Sequence, residues 1–404
     1  MTGDQRRFAL AYVSANVGAF LCFVPLINLL LPRRMAELDP AVSLVTTSWA
    51  LLAGAVTASL VNIIAGAVSD RVLMHFGTRM PVIALGLLAT CAAFPVIADA
   101  ETTTELTLAF MLFQGCFNIM FAPLGALVTD HVADTDKGRV FGLLNLALPI
   151  GQGSIFLVAQ SGVTNMEEIL AVIAVVAAVC MLPLLLRAPL WRGGAIEVPA
   201  YLNDRHAEVP GAGSASWDFA RAWAARLLIQ CASVAVGSYL YLFLAGMSRA
   251  SGNSASQWFG QLSLLAAVLG VVAGWTIGHL SDQISRRRPF LWLSALAVAG
   301  GCAVIAGAGS RLQLDFGFAL FSVGLAAFLT IDGALVAQLV GRSPNRALLL
   351  GLLNLTNTLS GVIIPAMTIA MGPVIGSAGG PLFAAAAAGA LAAAGLALMI
   401  RSID

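Results

Sequence analysis

The sequence predicts an all-α membrane protein with twelve transmembrane helices in two parallel six-helix repeats. Three observations carry that expectation. Of the 404 residues, 59% are hydrophobic and only 10% are charged, giving a mean hydropathy of +0.91, whereas about a quarter of a soluble domain is charged. No single core could bury so much apolar surface, so lipid must be the solvent. The apolar residues fall into twelve runs of about 20, the length that crosses a bilayer. Short polar motifs also recur in both halves at a nearly constant offset.

The runs lie near 8–31, 43–68, 81–99, 105–129, 140–162 and 167–187, then near 222–247, 256–280, 290–309, 313–340, 348–371 and 380–400. Backbone groups in hydrocarbon must bond internally, which leaves helices or a closed barrel. These runs are continuous and lack two-residue alternation, so they are helices. Span 1 exceeds the roughly 7–15 apolar residues of a signal-peptide core and no small-residue cleavage site follows, so it reads as a membrane helix. Residues 188–221 hold Pro189, Pro199 and Pro210 with mixed charge. They read as a polar linker between an N-terminal bundle, 1–187, and a C-terminal bundle, 222–404. Trp258 and Trp275 flank span 8 near its two ends, as interfacial belt anchors would. The Ala-rich final span, "LFAAAAAGALAAAGLALMI", reads as a tightly packed scaffold helix.

Orientation follows from the cations. With the N-terminus inside, the cytoplasmic segments carry sixteen Arg and Lys, among them Arg6, Arg7, Arg71, Arg79, Lys137 and Arg286 to Arg288. The outer segments carry four: Arg33, Arg34, Arg249 and Arg311. The positive-inside rule then puts both termini in the cytoplasm. Arg dominates over Lys and Ala and Gly abound, as in a GC-rich bacterial genome. The expected location is a bacterial inner membrane.

The halves repeat. "GALVTDHVADTDKGRVFGLLNL" begins at Gly125 and "GALVAQLVGRSPNRALLLGLLNL" at Gly333, an offset of 208 that becomes 209 at the shared GLLNL. "GAVSDR" at Gly66 has a cousin, "GHLSDQ", at Gly278, 212 residues on. Each half enters and leaves on one side, so the repeats are parallel, an arrangement of secondary transporters.

Twelve helices, a 6+6 repeat, a long middle loop and Gly-x-x-x-Asp-Arg-x-x-x-x-Gly-x-Arg after span 2 (Gly66, Asp70, Arg71, Gly77, Arg79) together resemble the major facilitator superfamily. Within it, "SDRVLMHFGTRMP", "SDQISRRRPF" and "WDFARAWAARLL" are most similar to the glycoside–pentoside–hexuronide and sucrose-carrier branch. The resemblance implies a cytoplasmic gate. Asp70 would face the N-terminus of span 11, where a helix dipole favours a carboxylate by roughly 0.3–1 kcal/mol. Asp282 would mirror it against span 5. Arg71 or Arg79 would reach Asp130 at the end of span 4, and Arg286 and Arg288 would serve the second copy, where Gln338 replaces the acid. These contacts would hold an outward-open state and break in the inward-open one. Span 2 lacks the acids of sodium-coupled members, and its polar candidate is Asn62.

Ionisable residues within spans are functional candidates by default. Arg226 in span 7 and Asp332 in span 10 stand out, and they can pair to hold a proton or an anionic group. Arg226, Gln230, Ser233, Gly237 and Tyr241 share one face of span 7. Gln114 and Asn118 in span 4, Asn145 and Gln152 in span 5, Asn16 in span 1, and Asn354, Asn357 and Thr358 in span 11 complete a polar set suited to a hydroxyl-rich neutral solute. Each of them alone equally suits interhelical hydrogen bonding.

The expected protein is therefore a monomeric secondary carrier of a small polar organic solute, sugar- or glycoside-like. It works by alternating access with proton coupling through Asp332, and the bilayer is its other partner. No cofactor is expected. A net charge of +1 implies no attraction to nucleic acid. No ATP-binding fingerprint appears. The six cysteines form no CxxC pair, and the four histidines lack metal spacing. No Ser/His, His/Glu or paired-carboxylate set lies at membrane depth, so an enzyme is disfavoured. Two alternatives stay open: a uniporter, and a proton-coupled exporter of amphipathic compounds whose cavity Phe20, Phe23, Phe113, Phe117 and Phe121 would line.

Overall fold

The computed structural model describes residues 3–41, 43–132, 134–187, 214–251, 254–284, 287–341, 346–372 and 379–400. The chain divides into two compact units, Met1–Asn203 and Asp204–Asp404. Among the described residues, eleven helices are long and apolar enough to cross a membrane, and the remaining predicted span holds a shorter apolar stretch, Leu355–Ala370.

In the first unit, span 1 runs from α1 (Gly3–Pro25) through a π-helical turn, Leu26–Leu30, into α2 (Leu31–Leu38). The turn sits between Pro25 and Pro32, each of which removes a backbone donor, and such interruptions concentrate at proline. Then come α3 (Ser43–Phe76), α4 (Met80–Ala98) and α5 (Thr103–His131). Span 5 is split into α6 (Asp134–Leu144) and α7 (Ala147–Gln160), and α8 (Met166–Leu186) closes the unit. The second unit contains α9 (Ser214–Ser251), α10 (Ala255–Ile284), α11 (Arg288–Ala306), α12 (Arg311–Gly341), α13 (Arg346–Ala370) and α14 (Gly380–Leu398).

Local signals explain the ends. Thr102 caps α5 by accepting from the Glu105 amide at 3.1 Å, and Asn165 caps α8 by accepting from the Glu167 amide at 3.0 Å. Gly77, the motif glycine, lies just past α3 with φ +68° and donates its amide to Leu73 O at 2.8 Å. A left-handed residue in that position ends a helix, and glycine adopts it without strain. The shared GLLNL behaves differently in its two copies. In the first, Asn145 and Leu146 form the turn between α6 and α7; in the second, the same letters lie inside α13. Pro149 explains the difference, because it cannot donate to the Asn145 carbonyl four residues earlier and its ring crowds it. The second copy has no proline until Pro365.

The sequence repeat is also a packing repeat. In the first unit α3 and α4 each pack on α5, α1 packs on α7 and α8, and α4 packs on α8. In the second, α10 and α11 pack on α12, α9 packs on α13 and α14, and α11 packs on α14. One pair of crossings shows how tight the scaffold is. A Cβ on Gly86 of α4 would lie 2.4 Å from Met120 N of α5, and one on Gly301 of α11 would lie 2.5 Å from Phe321 N of α12. Each glycine lets two backbones touch, as small residues do between membrane helices.

The outer surfaces are apolar. Ile63, Leu88 and Trp275 are 73%, 69% and 75% exposed, which suits lipid rather than water. Trp275 fits the belt expectation; Trp258 does not. Trp258 is 5% exposed. Its indole donates to Asp315 Oδ1 at 2.7 Å, and the Arg311 guanidinium lies 5.2 Å from its ring centroid. It therefore clasps α10 to α12, because a buried indole N–H needs an acceptor and Asp315 supplies it.

Candidate functional site

Among the described residues, each unit gathers a polar constellation inside its helix bundle. In the second unit, Trp223, Arg226 and Gln230 recur at three- and four-residue spacing along one face of α9. All three donate to α13. Trp223 Nε1 reaches Leu352 O at 2.7 Å, Arg226 Nε reaches Thr356 Oγ1 at 3.2 Å, and Gln230 Nε2 reaches Asn357 Oδ1. Arg226 NH1 also bonds Asp332 Oδ2 of α12. One guanidinium thus ties three helices together. Asp332 is 1% exposed, and a charge buried that deeply persists only when paired and hydrogen-bonded. Arg226 keeps 18% of its side chain accessible.

The planar guanidinium holds its donors in a fixed fork, so it serves a carboxylate and a hydroxyl at once. Thr356, whose hydroxyl donates a hydrogen bond to Leu353 O at 2.7 Å, was not singled out from the sequence. Its position directly after the second GLLNL was the available signal. Tyr241 lies far along the predicted stripe, 6% exposed and edge-on to Phe259. It packs in the core rather than joining the ion pair.

In the first unit, Asn62 Nδ2 donates to Asn118 Oδ1 at 3.1 Å, and Asn118 Nδ2 donates to Gln114 O at 2.8 Å. Gln114 is 4% exposed, and its Oε1 has no partner among the described residues. Asn62, the polar candidate of span 2, therefore belongs with the span 4 pair. Asn16 bonds the Tyr12 carbonyl of its own helix at 2.9 Å, so part of its capacity is spent locally. Gln152 is half-buried on α7, and Asn145 is exposed in the turn before it. The structure does not draw Asn145 into this cluster, because Pro149 breaks the helix there. The phenylalanines proposed for an amphipathic cavity stack on one another instead: Phe113 on Phe94 and Phe117, Phe117 on Phe23 and Phe121. Phe113 and Phe117 are 0% and 4% exposed, so they form core.

At one end of the first unit, Arg79 resolves the choice between the two motif arginines. Its Nε bonds Asp130 Oδ2 at 2.7 Å, and its NH1 bonds Asp70 Oδ1 at 2.6 Å and Ser69 Oγ at 3.0 Å. Arg71 is exposed and makes no ion pair among the described residues. Burial works against the charge on Arg79, but its bonds to Asp130 and Asp70 outweigh that and hold its pKa above the ordinary value. Ser69 is fully buried. Its signal was the Ser-Asp pair present in both motif copies.

His131 follows Asp130 and packs against Phe8 with ring centroids 4.9 Å apart. Burial lowers its pKa, Asp130 opposes that shift, and the charge on Arg79 adds to it. Of the second copy, Arg288 donates to Leu398 O at the end of α14, so its guanidinium serves a helix terminus within its own unit. Arg286 and the side chains of Asp282, Gln338 and Asn354 lie outside the described residues.

Residues 8–365 match the model of the Major Facilitator Superfamily. The chain belongs to that superfamily. It is a secondary transporter, not an enzyme. Solved structures similar to this superfamily member include a bacterial homologue of the human lysosomal transporter Spinster, inward-facing and unoccupied. That pair shares 14% identity over 100% of this chain and 96% of that one, with a TM-score of 0.64. The same homologue in its occupied form gives 16% identity, 99% and 95% coverage and a TM-score of 0.62. A mutant of the nucleoside transporter NupG gives 12% identity, 98% and 100% coverage and a TM-score of 0.71. At such identities the likeness establishes the superfamily fold alone. No curated protein sequence matches this transporter.

Proposed function

We propose that this transporter moves a small polar organic solute, of sugar or glycoside type, across a bacterial inner membrane by alternating access, coupled to protons through Asp332. The observation that carries the reading is the Arg226–Asp332 pair, held by Thr356 inside an apolar helix bundle. A structural tie between helices does not need ionisable groups at that depth, and ionisable groups there are the usual vehicle of proton or ion coupling. The polar sets Asn62–Asn118–Gln114 and Gln230–Asn357 support a hydrogen-bonding cargo. The nucleoside transporter of the same fold is a precedent for a polar organic solute. The amphipathic-export alternative loses support, since two of its phenylalanines are spent in the core.

Arg79 with Asp70 and Asp130 is proposed as the cytoplasmic gate implied by the resemblance. Asp70→Asn should shift spin-label distances toward the inward-open population.

The test is uptake in proteoliposomes over a panel of sugars, glycosides, carboxylates and nucleosides, with and without an imposed pH gradient. The reading expects gradient-driven accumulation of a neutral polar solute, with accumulation lost and exchange retained in Asp332→Asn. Full accumulation in that variant removes Asp332 from coupling. Accumulation of amphipathic compounds alone rejects the cargo class.

A further inference from the structure

The guanidinium of Arg226 joins two helices that otherwise meet little. Among the described residues, α13 packs chiefly on α9 and only lightly on α12. Arg226, on α9, bonds Asp332 Oδ2 of α12 through NH1, and Thr356 Oγ1 of α13 through Nε at 3.2 Å. Asp332, Arg226 and Thr356 therefore form a polar bridge from α12 to α13, with α9 carrying its middle. Both outer members point into the unit: Asp332 and Thr356 are buried, whereas Leu352 and Leu355, on other faces of α13, are exposed.

Thr356 is oriented as an acceptor. Its hydroxyl hydrogen is committed to Leu353 O at 2.7 Å, which leaves a lone pair for Arg226 Nε. Ser360 and Thr368 make the same kind of bond to their own helix, at 2.9 and 2.8 Å, but among the described residues neither accepts from another helix. The flanking bonds from α9 to α13, Trp223 to Leu352 O and Gln230 to Asn357, are uncharged. Of the three, the middle one continues, through the same guanidinium, to an ionisable group. Arg226 is the charged group that reaches Asp332: among the described residues, none from α10, α11 or α13 pairs with it. The link to α12 therefore depends on one charge. A neutral carboxyl is a much poorer partner for a guanidinium than a carboxylate, while Thr356, itself uncharged, holds Arg226 in either state.

We propose that Thr356 is a positioning residue that makes α13 responsive to the charge of Asp332. The ionised carboxylate ties α13 to α12 through Arg226; its neutralisation frees α13 from α12 and leaves it on α9. The inference rests on the reading of Asp332 as the coupled-proton site and adds which helix that proton releases.

Backbone hydrogen–deuterium exchange of the full chain in lipid nanodiscs tests the bridge without cargo or gradient, with α11, which contributes no residue to it, as internal reference. The variants are Asp332→Asn; Thr356→Val, which removes the acceptor at nearly constant shape; Thr356→Ser, which restores it; and Asp332→Asn combined with Thr356→Val. A bridge cut at one end is not cut further at the other. Relative to α11, residues 352–360 should exchange about tenfold faster or more in each of Asp332→Asn and Thr356→Val, the scale of one lost charge-assisted hydrogen bond. The double variant should match these singles, and Thr356→Ser should match wild type. Wild-type exchange in either single variant, effects that multiply in the double variant, or Thr356→Ser exchanging like Thr356→Val overturns the proposal. If Asp332→Asn does not fold, Arg226→Lys takes its place. A compact ammonium lacks the fork that spans both partners, so α13 should exchange as in Thr356→Val, and wild-type exchange overturns the proposal. Proton-driven accumulation that persists in Asp332→Asn with α13 released removes the coupling reading and leaves the bridge standing; accumulation lost with α13 unmoved does the reverse.

Discussion

Replacing Asp332 by Asn probes the ion pair on which the transport reading rests. Asp332 keeps 2% of its side-chain surface accessible and Arg226 keeps 18%, so most of the interaction lies out of solvent. Breaking such a pair from one side typically costs about 3–5 kcal/mol, because the remaining charge is stranded. The two sides should not be equal. In Asp332→Asn the guanidinium retains Thr356 and its accessible edge, so the loss should fall near about 3 kcal/mol. In Arg226→Gln a carboxylate with almost no solvent contact loses its cation, so the loss should approach about 5 kcal/mol. The double variant strands neither charge and should be less damaged than the sum of the two. Unfolding in detergent, followed by intrinsic fluorescence, gives the four corners of the cycle. A coupling of about 2 kcal/mol or more is expected; ordinary polar contacts between membrane helices average about 0.6 kcal/mol. A value at or below that average would refute the claim that the pair is a buried charge interaction.

Three further outcomes follow from the geometry. Asp130→Asn should destabilise the first unit more than Asp70→Asn, because Asp130 is 16% exposed and Asp70 is 64% exposed, and exposed pairs contribute only about 0–1 kcal/mol; thermal melts of the two variants decide the order. A valine at Gly301 should cost about 3 kcal/mol or more by forcing α11 off the α12 backbone. Alanine at Gly125, where nothing lies within 4 Å of the added Cβ, should be nearly neutral, and equal melting temperatures would contradict the close-contact reading. His131 gives a pH dependence with a definite sign. Its pKa is lowered in the folded state, first by burial, so the unfolded chain binds more protons just below its ordinary value of about 6.5. The stability this contributes is present above that value and is lost as pH falls through the lowered one. Melting temperature should therefore drop between neutral pH and mild acid, and His131→Phe, which preserves a ring against Phe8, should flatten the drop.

The helical class and the number of spans were legible because lipid imposes a one-dimensional rule: a run of about 20 apolar residues must become a helix. The repeat was legible because three short strings recur. Even so, identical strings did not fix identical structure, since GLLNL turns in one half and continues as helix in the other. That difference came from Pro149, four residues beyond the point where it acts. Trp258 shows the same limit from another side. Its place near the end of a run suggested the lipid interface, and only the neighbouring Asp315 and Arg311, brought there by α12, made it a buried clasp.

The sequence by itself determined which residues carry charge into the membrane or to its edge, since Arg226 and Asp332 within spans, and Asp70, Arg79 and Asp130 at span ends, are conspicuous against an apolar background. Only the tertiary structure decided whom they meet: Arg79 rather than Arg71 takes both aspartates, and Arg226 bridges Asp332 to Thr356. The reason is physical. Whether a residue enters lipid depends on its own transfer free energy, which composition reveals. Which groups lie within 3 Å of one another depends on helix rotation and crossing. Those are set by backbone contacts such as Gly86 on Met120 and Gly301 on Phe321, between residues too far apart in the chain for any local pattern to register.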